Sequence, residues 1–346
     1  MKKSFGKAAF VFLFVMLIAL TGCGKDNNSS VSGVGVNTSK PTGAQQADAK
    51  PKDQPLQELT VATVGDTAVF GPIYYALEKD IWAKYGLKVK RVSLDAGASV
   101  AALISGDAHI VLAGPNIVDS ALKTDKVRVI GTYGQIALSL YAKNINKLEE
   151  VKGKTIGATS PGGAIDYVAR TMIRAIGMQQ GKDVKVLYTG SNQANLAAIS
   201  EGKIEAGVIS PPTTIQAEQM GLKNVANLNE VKGVLGLYGV MGVNQPYAEK
   251  NPQAIENFMK AYAEASKLMR ADKEASKAAI EKYTKSTDEK ILDVSYEAYK
   301  NLWPIDLHIP DSEIQFILEE LSEKNPAAKT KKPADVVNKR FADAVK

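Results

Sequence analysis

Cysteine and histidine are nearly missing from this 346-residue chain, which has one Cys and two His. A single Cys excludes a disulfide framework, a Cys-based zinc site and an iron–sulfur cluster. Two histidines, His109 and His308, exclude a His-rich metal cage. Charge of one sign is lacking too. There are 43 basic and 37 acidic residues, and without Lys2, Lys3 and Lys7 at the start the balance is 40 to 37. That gives no basis for a nucleic-acid surface. After residue 23 no stretch approaches 18 consecutive apolar residues, so no membrane span is expected there. The motifs Gly-x-Ser-x-Gly and Gly-x-x-x-x-Gly-Lys-[Ser/Thr] do not occur. His109 lies among apolar residues and His308 in the turn Trp303–Pro310, neither beside a Ser or Cys that would make a nucleophile. No cofactor, metal or enzymatic chemistry is expected.

What is present begins with a three-part leader. Met1–Lys7 is basic, Ala8–Leu20 is an apolar run of 13 residues, and Leu20-Thr21-Gly22-Cys23 follows. The run is short for a membrane span and suits a signal-peptide core. The last four residues resemble the bacterial lipobox. Residues 1–22 are therefore read as a lipoprotein signal peptide, with Cys23 acylated and anchored in the cell membrane at its extracytoplasmic face. Gly24 to Gln57 is rich in Ser, Gly, Asn, Thr, Lys and Pro and has no periodicity, as expected of a flexible tether.

The remainder has enough apolar residues, 45% of the chain, for a core of two compact units. It contains a faint repeat. Leu59–Thr63 matches Thr155–Thr159; Ser99–Asp107 matches Asn195–Lys203; Ala113-Gly114-Pro115 matches Ile209-Ser210-Pro211. The offset is 96 residues in each of these elements. Each unit reads as strand, helix, strand, helix, strand, the alternation of parallel strands with crossover helices. Strands are expected at 59–63, 89–94, 109–113 and 127–133 in the first lobe, and at 155–159, 184–188 and 206–209 in the second. The stretches 137–142 and 237–243 read as crossings, with hinges near 139–146 and 236–245. The division is 58–142 with 243–346 for lobe one and 143–242 for lobe two. After Pro252, helices are expected at 252–270, 272–284, 288–302, 311–323 and 333–345, with Pro252, Asp272, Asp288 and Asp311 at their starts.

In such folds ligands bind beyond the carboxyl ends of the strands. Seven loops rich in Gly, Ser, Thr and Asn fall there, and none contains Lys or Arg. They supply the candidate ligand-binding residues: Asp66, Thr67, Asp95, Gly97, Ser99, Gly114 and Asn116 from lobe one, and Ser160, Gly162, Gly163, Ser191, Asn192 and Ser210 from lobe two. Asp66 and Asp95 also read as helix N-caps. Arg170 follows Asp166 at helical i,i+4 spacing and reads as its ion-pair partner. Phe70, Tyr74, Tyr133, Tyr188 and Tyr238 lie in or just beyond the loops, and of these Phe70, Tyr133 and Tyr188 are taken as cleft walls.

Three segments carry a family resemblance: Ala76–Val89, Ala101–Ile110 and Val151–Gly157, with the ending Lys332–Phe341. Over about residues 58–346 the chain resembles lipoprotein substrate-binding components of ABC importers, in the family that takes nitrate, alkanesulfonates, taurine or thiamin-type pyrimidines. The resemblance implies a two-lobed periplasmic-binding-protein-like α/β fold of type II, each lobe a mostly parallel sheet flanked by helices, with the ligand cleft between them. It implies a small-molecule ligand, first a sulfonate or taurine-like solute and second a pyrimidine or other nitrogen heterocycle. It also implies a permease with its ATPase as partners, and a monomer. Pyrimidine synthases share this fold but use a Cys-rich motif that is not found here. A ligand-sensing lipoprotein is a further alternative.

Overall fold

The computed structural model describes residues 55–231 and 238–345. The leader, Cys23 and all but the last residues of the tether lie outside the described residues.

The first half runs β1 (Gln57–Val64), α1 (Gly71–Glu78), α2 (Ile81–Lys84), β2 (Leu87–Leu94), α3 (Ala96–Ser105), β3 (Ile110–Ala113), α4 (Asn116–Lys123) and β4 (Val127–Gln135). The second runs β5 (Ser139–Ala142), β6 (Thr155–Ala158), α5 (Ala164–Ala175), β7 (Lys185–Tyr188), α6 (Asn192–Ser200), β8 (Ala206–Ile209), α7 (Thr213–Gln219) and β9 (Lys223–Asn227). Then come β10 (Tyr238–Asn244), α8 (Gln245–Lys250), α9 (Pro252–Ala271), α10 (Lys273–Thr284), α11 (Glu289–Tyr299), α12 (Asp311–Leu321), α13 (Pro333–Val336) and α14 (Arg340–Asp343).

Two five-stranded sheets result, ordered β2-β1-β3-β10-β4 and β7-β6-β8-β5-β9. In each, the first three strands are parallel and one inserted strand runs antiparallel to both its neighbours. The shared order gives the repeat a physical basis. Each sheet is flanked by helices, the two-lobed arrangement expected from the sequence.

The inserted strands correct the crossings. β5 pairs within the second sheet and β10 within the first, so both change sides relative to the expected boundaries. Strands bonded on both edges cannot serve as hinges, which moves the first crossing to the segment between Gln135 and Ser139. β9 was not anticipated: Lys223-Asn224-Val225-Ala226-Asn227 is an edge strand with no buried residue, and it carries no alternating apolar pattern.

The tail packs mainly on the first half. Asp272 and Asp288 cap α10 and α11, accepting from Ala275 N and Ile291 N at 3.0 and 3.1 Å. Trp82 stacks on Phe258 of α9 with centroids 5.1 Å apart. Tyr262, Tyr299 and Trp303 are wholly buried, each such side chain contributing on the order of 1.5–3 kcal/mol. The expected helix 333–345 is broken instead. Val337 forms a parallel bridge to Val129, and Asn338 N donates to Val129 O at 2.8 Å, so this segment serves the edge of β4. The same edge receives Leu302 and Leu307: Thr132 N donates to Leu307 O at 2.9 Å and Gln135 N to Leu302 O at 3.3 Å. The approach needs glycine at Gly134, where φ is +123° and a Cβ would sit 2.4 Å from Leu302 O.

Candidate functional site

The strand-end loops of both sheets converge on one cavity of about 470 Å³. It is lined by residues following β1, β2, β3 and β4 on one side and β6, β7 and β8 on the other, closed by the α10–α11 turn and Tyr299.

In the first loop Gly65 turns the chain with φ +74°. Asp66 does not cap a helix. Its Oδ1 accepts from Arg91 Nη1 at 2.6 Å, and that nitrogen also donates to Thr63 Oγ1 at 2.9 Å. The guanidinium lies 5.2 Å from the ring centroids of both Tyr74 and Tyr283. The Asp66 charge is therefore compensated from behind, and Tyr74 belongs to that support. Thr67 leads into a 3-10 turn, Ala68–Phe70, which places Phe70 against Tyr133 with centroids 5.1 Å apart. Burial pushes the Tyr133 phenol well above its ordinary value, so it stays neutral.

Asp95 is the N-cap of α3, its Oδ1 accepting from Ala98 N at 2.8 Å. Gly97 and Ser99 fall outside the cavity lining, against expectation: both lie inside α3, and Ser99 is fully buried with Oγ donating to Ala96 O at 3.0 Å. Asn116 is a brace. Its Oδ1 accepts from Gly114 N at 3.2 Å and its Nδ2 donates to Ala96 O at 2.9 Å. Gly114 itself lines the cavity against the start of α5, where a Cβ would lie 2.7 Å from Ala164 N.

From the second half, Ser160 and Gly163 line the cavity just before α5, which starts without a side-chain cap and leaves first-turn N–H groups at Ala164 and Ile165. Gly162 turns away: its N–H donates to Asp166 Oδ2 at 2.8 Å. Tyr188 is withdrawn by the same carboxylate, its hydroxyl donating to Asp166 Oδ1 at 2.9 Å and accepting from Arg170 at 3.2 Å. Burial first, and Asp166 second, raise its phenol above the usual value. These two residues, with Asn116, fall outside the cavity lining. Tyr238 does too, packing in the core of the first half.

Ser191 caps α6, accepting from Ala194 N at 3.1 Å. Asn192 Nδ2 donates to Ser210 Oγ at 3.0 Å, while Asn192 Oδ1 is buried with no hydrogen-bond partner among the described residues. The Tyr299 hydroxyl, beside Ser210, also makes no hydrogen bond of normal geometry. Two free polar atoms at one cavity wall are the groups a ligand would satisfy.

Gln193 and Thr213, which lie in the expected site loops 189–193 and 210–214, join the lining, and sequence reasoning missed Tyr299, Gln216 and Lys285 there. Lys285 corrects the expectation of a site without basic residues, although its ammonium donates to Lys282 O at 2.8 Å. The missed residues come mostly from helices whose packing is tertiary, and no local signal marks them. Val69, Phe70, Ile136, Leu138 and Ile165 give the cavity an apolar wall. Among the described residues no cluster of His, Cys, Asp and Glu could hold a metal, and no helix is long and apolar enough to cross a membrane.

Comparison with known proteins adds the following. The family described as NMT1/THI5 like matches residues 67–276. A putative ABC transporter periplasmic binding protein of Brachyspira hyodysenteriae is 25% identical over 244 residues, covering 62% of this chain and 66% of that protein. The nitrate/nitrite binding protein NrtA of Synechococcus elongatus is 23% identical over 282 residues, covering 71% and 61%. The chain thus spans just under two thirds of these curated relatives. Among solved structures, the periplasmic aliphatic sulphonate binding protein SsuA of Escherichia coli has the same fold, with TM-score 0.63 and 18% identity over 82% of this chain and 92% of that one.

Proposed function

Because the chain belongs to the NMT1/THI5-like family, we propose that it is an extracytoplasmic solute-binding lipoprotein. It captures a small organic solute and delivers it to an ABC permease with its ATPase. The observation that carries this is the cavity itself, built from the strand-end loops of two like sheets and holding binding groups but no reactive constellation. The proposed ligand contacts are Thr67, Phe70, Asp95, Gly114, Tyr133, Ser160, Gly163, Ser191, Asn192 and Ser210, with Thr213 and Tyr299 added. Asp66 borders the site with its charge already matched by Arg91.

The charge pattern selects a class. Asp66 is ion-paired and Asp95 is engaged at a helix start, so neither dominates the cavity. Uncapped N–H groups of α5 favour an anionic group, each helix start contributing about 0.3–1 kcal/mol and up to about 2 when partly buried. With the apolar wall, this fits one sulfonate or carboxylate on a compact organic body, a taurine or alkanesulfonate type. A nitrogen heterocycle of the pyrimidine kind is the second reading, favoured by the free Asn192 Oδ1, which accepts a ring or amino N–H. Cys23 anchors the protein through the tether, and it works as a monomer. Calorimetry comparing taurine, an alkanesulfonate, nitrate and a hydroxymethyl-aminopyrimidine decides the ligand. Tight nitrate binding without response to the organic ligands would sink the assignment.

A further inference from the structure

A second cavity, of about 580 Å³, lies between the start of α4, helix α5 with the loop 178–181 after it, and the end of α12. No residue lines both it and the ligand cavity: Pro115 and Gly162 face this one, while their neighbours Gly114 and Gly163 face the other. Helix α5 packs on the second sheet, whereas α4 packs on the first and α12 on α4, so both halves supply the lining.

The lining has donors to spare. Arg170 gives Nε and Nη2 to Asp166 and Tyr188 and keeps Nη1. Arg174, four residues on along the same face of α5, uses Nη1 alone, on Glu320 and Glu323, and keeps Nε and Nη2. Lys324 makes no ion pair among the described residues. The Tyr167 hydroxyl is buried and makes no hydrogen bond of normal geometry. The carboxylates are largely taken. Asp119 accepts from Lys123 and from Asn325 at 3.0 Å. Both oxygens of Asp166 are engaged, by Arg170, Gly162 and Tyr188, and both of Glu320, by Arg174 and Thr171. Glu323 keeps a free oxygen, at an exposed position.

A cavity whose unmet groups are N–H and O–H donors is completed by a ligand that brings acceptors. Guanidinium N–H groups match the planar fork of a carboxylate. The four carboxylates of the lining are balanced by Arg170, Arg174, Lys324 and Lys123, the last held on Asp119. One added negative charge meets the unspent donors, whereas a dianion would face Glu320 and Glu323 without compensation. Pro115, Met178, Leu321 and the Tyr167 ring offer apolar surface to a hydrocarbon body.

We propose that this cavity is a second binding site, for a small organic acid carrying one carboxylate. The carboxylate is held by Arg170, Arg174 and Lys324, and the body lies against Leu321 and Met178. The site rests on its own lining and stands or falls apart from the assignment of the ligand cavity.

Calorimetry on the full chain with benzoate, a compact planar carboxylate, tests this, with benzamide as the uncharged isostere and inorganic phosphate as the competing anion. Benzoate is expected to bind at least about tenfold tighter than either. Lys324→Gln, at an exposed position, should weaken it about threefold or more, and Leu321→Trp, which fills the cavity, at least about tenfold. Asn192→Leu, in the ligand cavity, should leave benzoate binding within about twofold. Absence of benzoate binding overturns the site, and so does benzamide or phosphate binding as tightly as benzoate. Benzoate binding that disappears in Asn192→Leu but persists in Leu321→Trp and Lys324→Gln places the acid in the ligand cavity and overturns the proposal as well. If Leu321→Trp fails to fold, Lys324→Gln decides.

Discussion

Replacing Arg170 with Met isolates the cost of stranding a buried carboxylate. Asp166 is 1% exposed at its side chain and Arg170 22%. The carboxylate accepts from Arg170 Nε at 2.9 Å, from Arg170 Nη2, from Gly162 N at 2.8 Å and from the Tyr188 hydroxyl at 2.9 Å. Arg170→Met removes the one cation paired with it among the described residues and leaves a charge with almost no access to water, which costs about 3–5 kcal/mol. Asp166→Asn leaves the cation instead. Arg170 has enough exposure to hydrate and Asn keeps one acceptor for Gly162 N, so the cost is about 1–3 kcal/mol. The double variant should cost less than the sum, with a coupling of roughly 2 kcal/mol. Urea unfolding followed by circular dichroism reads all three. By thermal melting the Arg170→Met loss corresponds to roughly 6–20 °C at about 2–4 °C per kcal/mol. The reasoning is refuted if Arg170→Met costs no more than Asp166→Asn, or if coupling stays within about 0.5 kcal/mol.

Four other outcomes are expected. Gly239→Ala places a Cβ 2.1 Å from the Tyr133 ring in a buried strand, so a loss of about 1–3 kcal/mol or more should appear in the urea midpoint. Glu313 has a raised folded-state value near 7 and an ordinary value of 4.5, so its contribution to stability is intact below about 4.5 and lost as pH rises toward 7; Glu313→Gln should gain up to about 3 kcal/mol at pH 8 and almost nothing at pH 4.5 in denaturation curves. Trp303 donates from Nε1 to Ala68 O at 3.2 Å, beside the ligand cavity, whereas Trp82 stacks on Phe258; Trp303→Phe should abolish a ligand-dependent change in tryptophan fluorescence that Trp82→Phe retains. Cys23→Ser should release the protein from the membrane fraction, and a variant still fully membrane-bound and cleaved before residue 23 contradicts the anchor.

The repeat was legible because it records topology: the 96-residue offset relates β3 to β8 and α3 to α6, elements with equal places in the two sheets. Helix starts at Asp272 and Asp288 were legible because capping is local. Site loops could be read as a set, since turn and cap residues collect at strand ends. Which side chains enter the cavity could not. Tyr188 and Gly162 were diverted by Asp166, and Asp66 was claimed by Arg91, 25 residues away on a neighbouring strand. Lys285 and Tyr299 reach the cavity from helices whose docking depends on the whole tail. β9 escaped because an exposed edge strand needs no apolar alternation, and the last helix was broken by the demand of β4 for an edge partner.

The exchange of β5 and β10 between the sheets sets an order of assembly. Thr132 on β4 donates from Oγ1 to Gly239 O on β10 across 107 residues of chain. Until β10 is made, β3 and β4 have no strand between them, and the first sheet cannot form its order. Every strand of the second sheet lies between residues 139 and 227, an uninterrupted stretch. As the chain emerges from its N-terminus, the segment made second is therefore the first able to complete its sheet, and the segment made first must wait. Closing the longer loop is slower. A fragment ending at residue 231 should protect β6 and β8 from hydrogen exchange while leaving β3 and β4 open, and adding a peptide spanning β10 to α9 should close them.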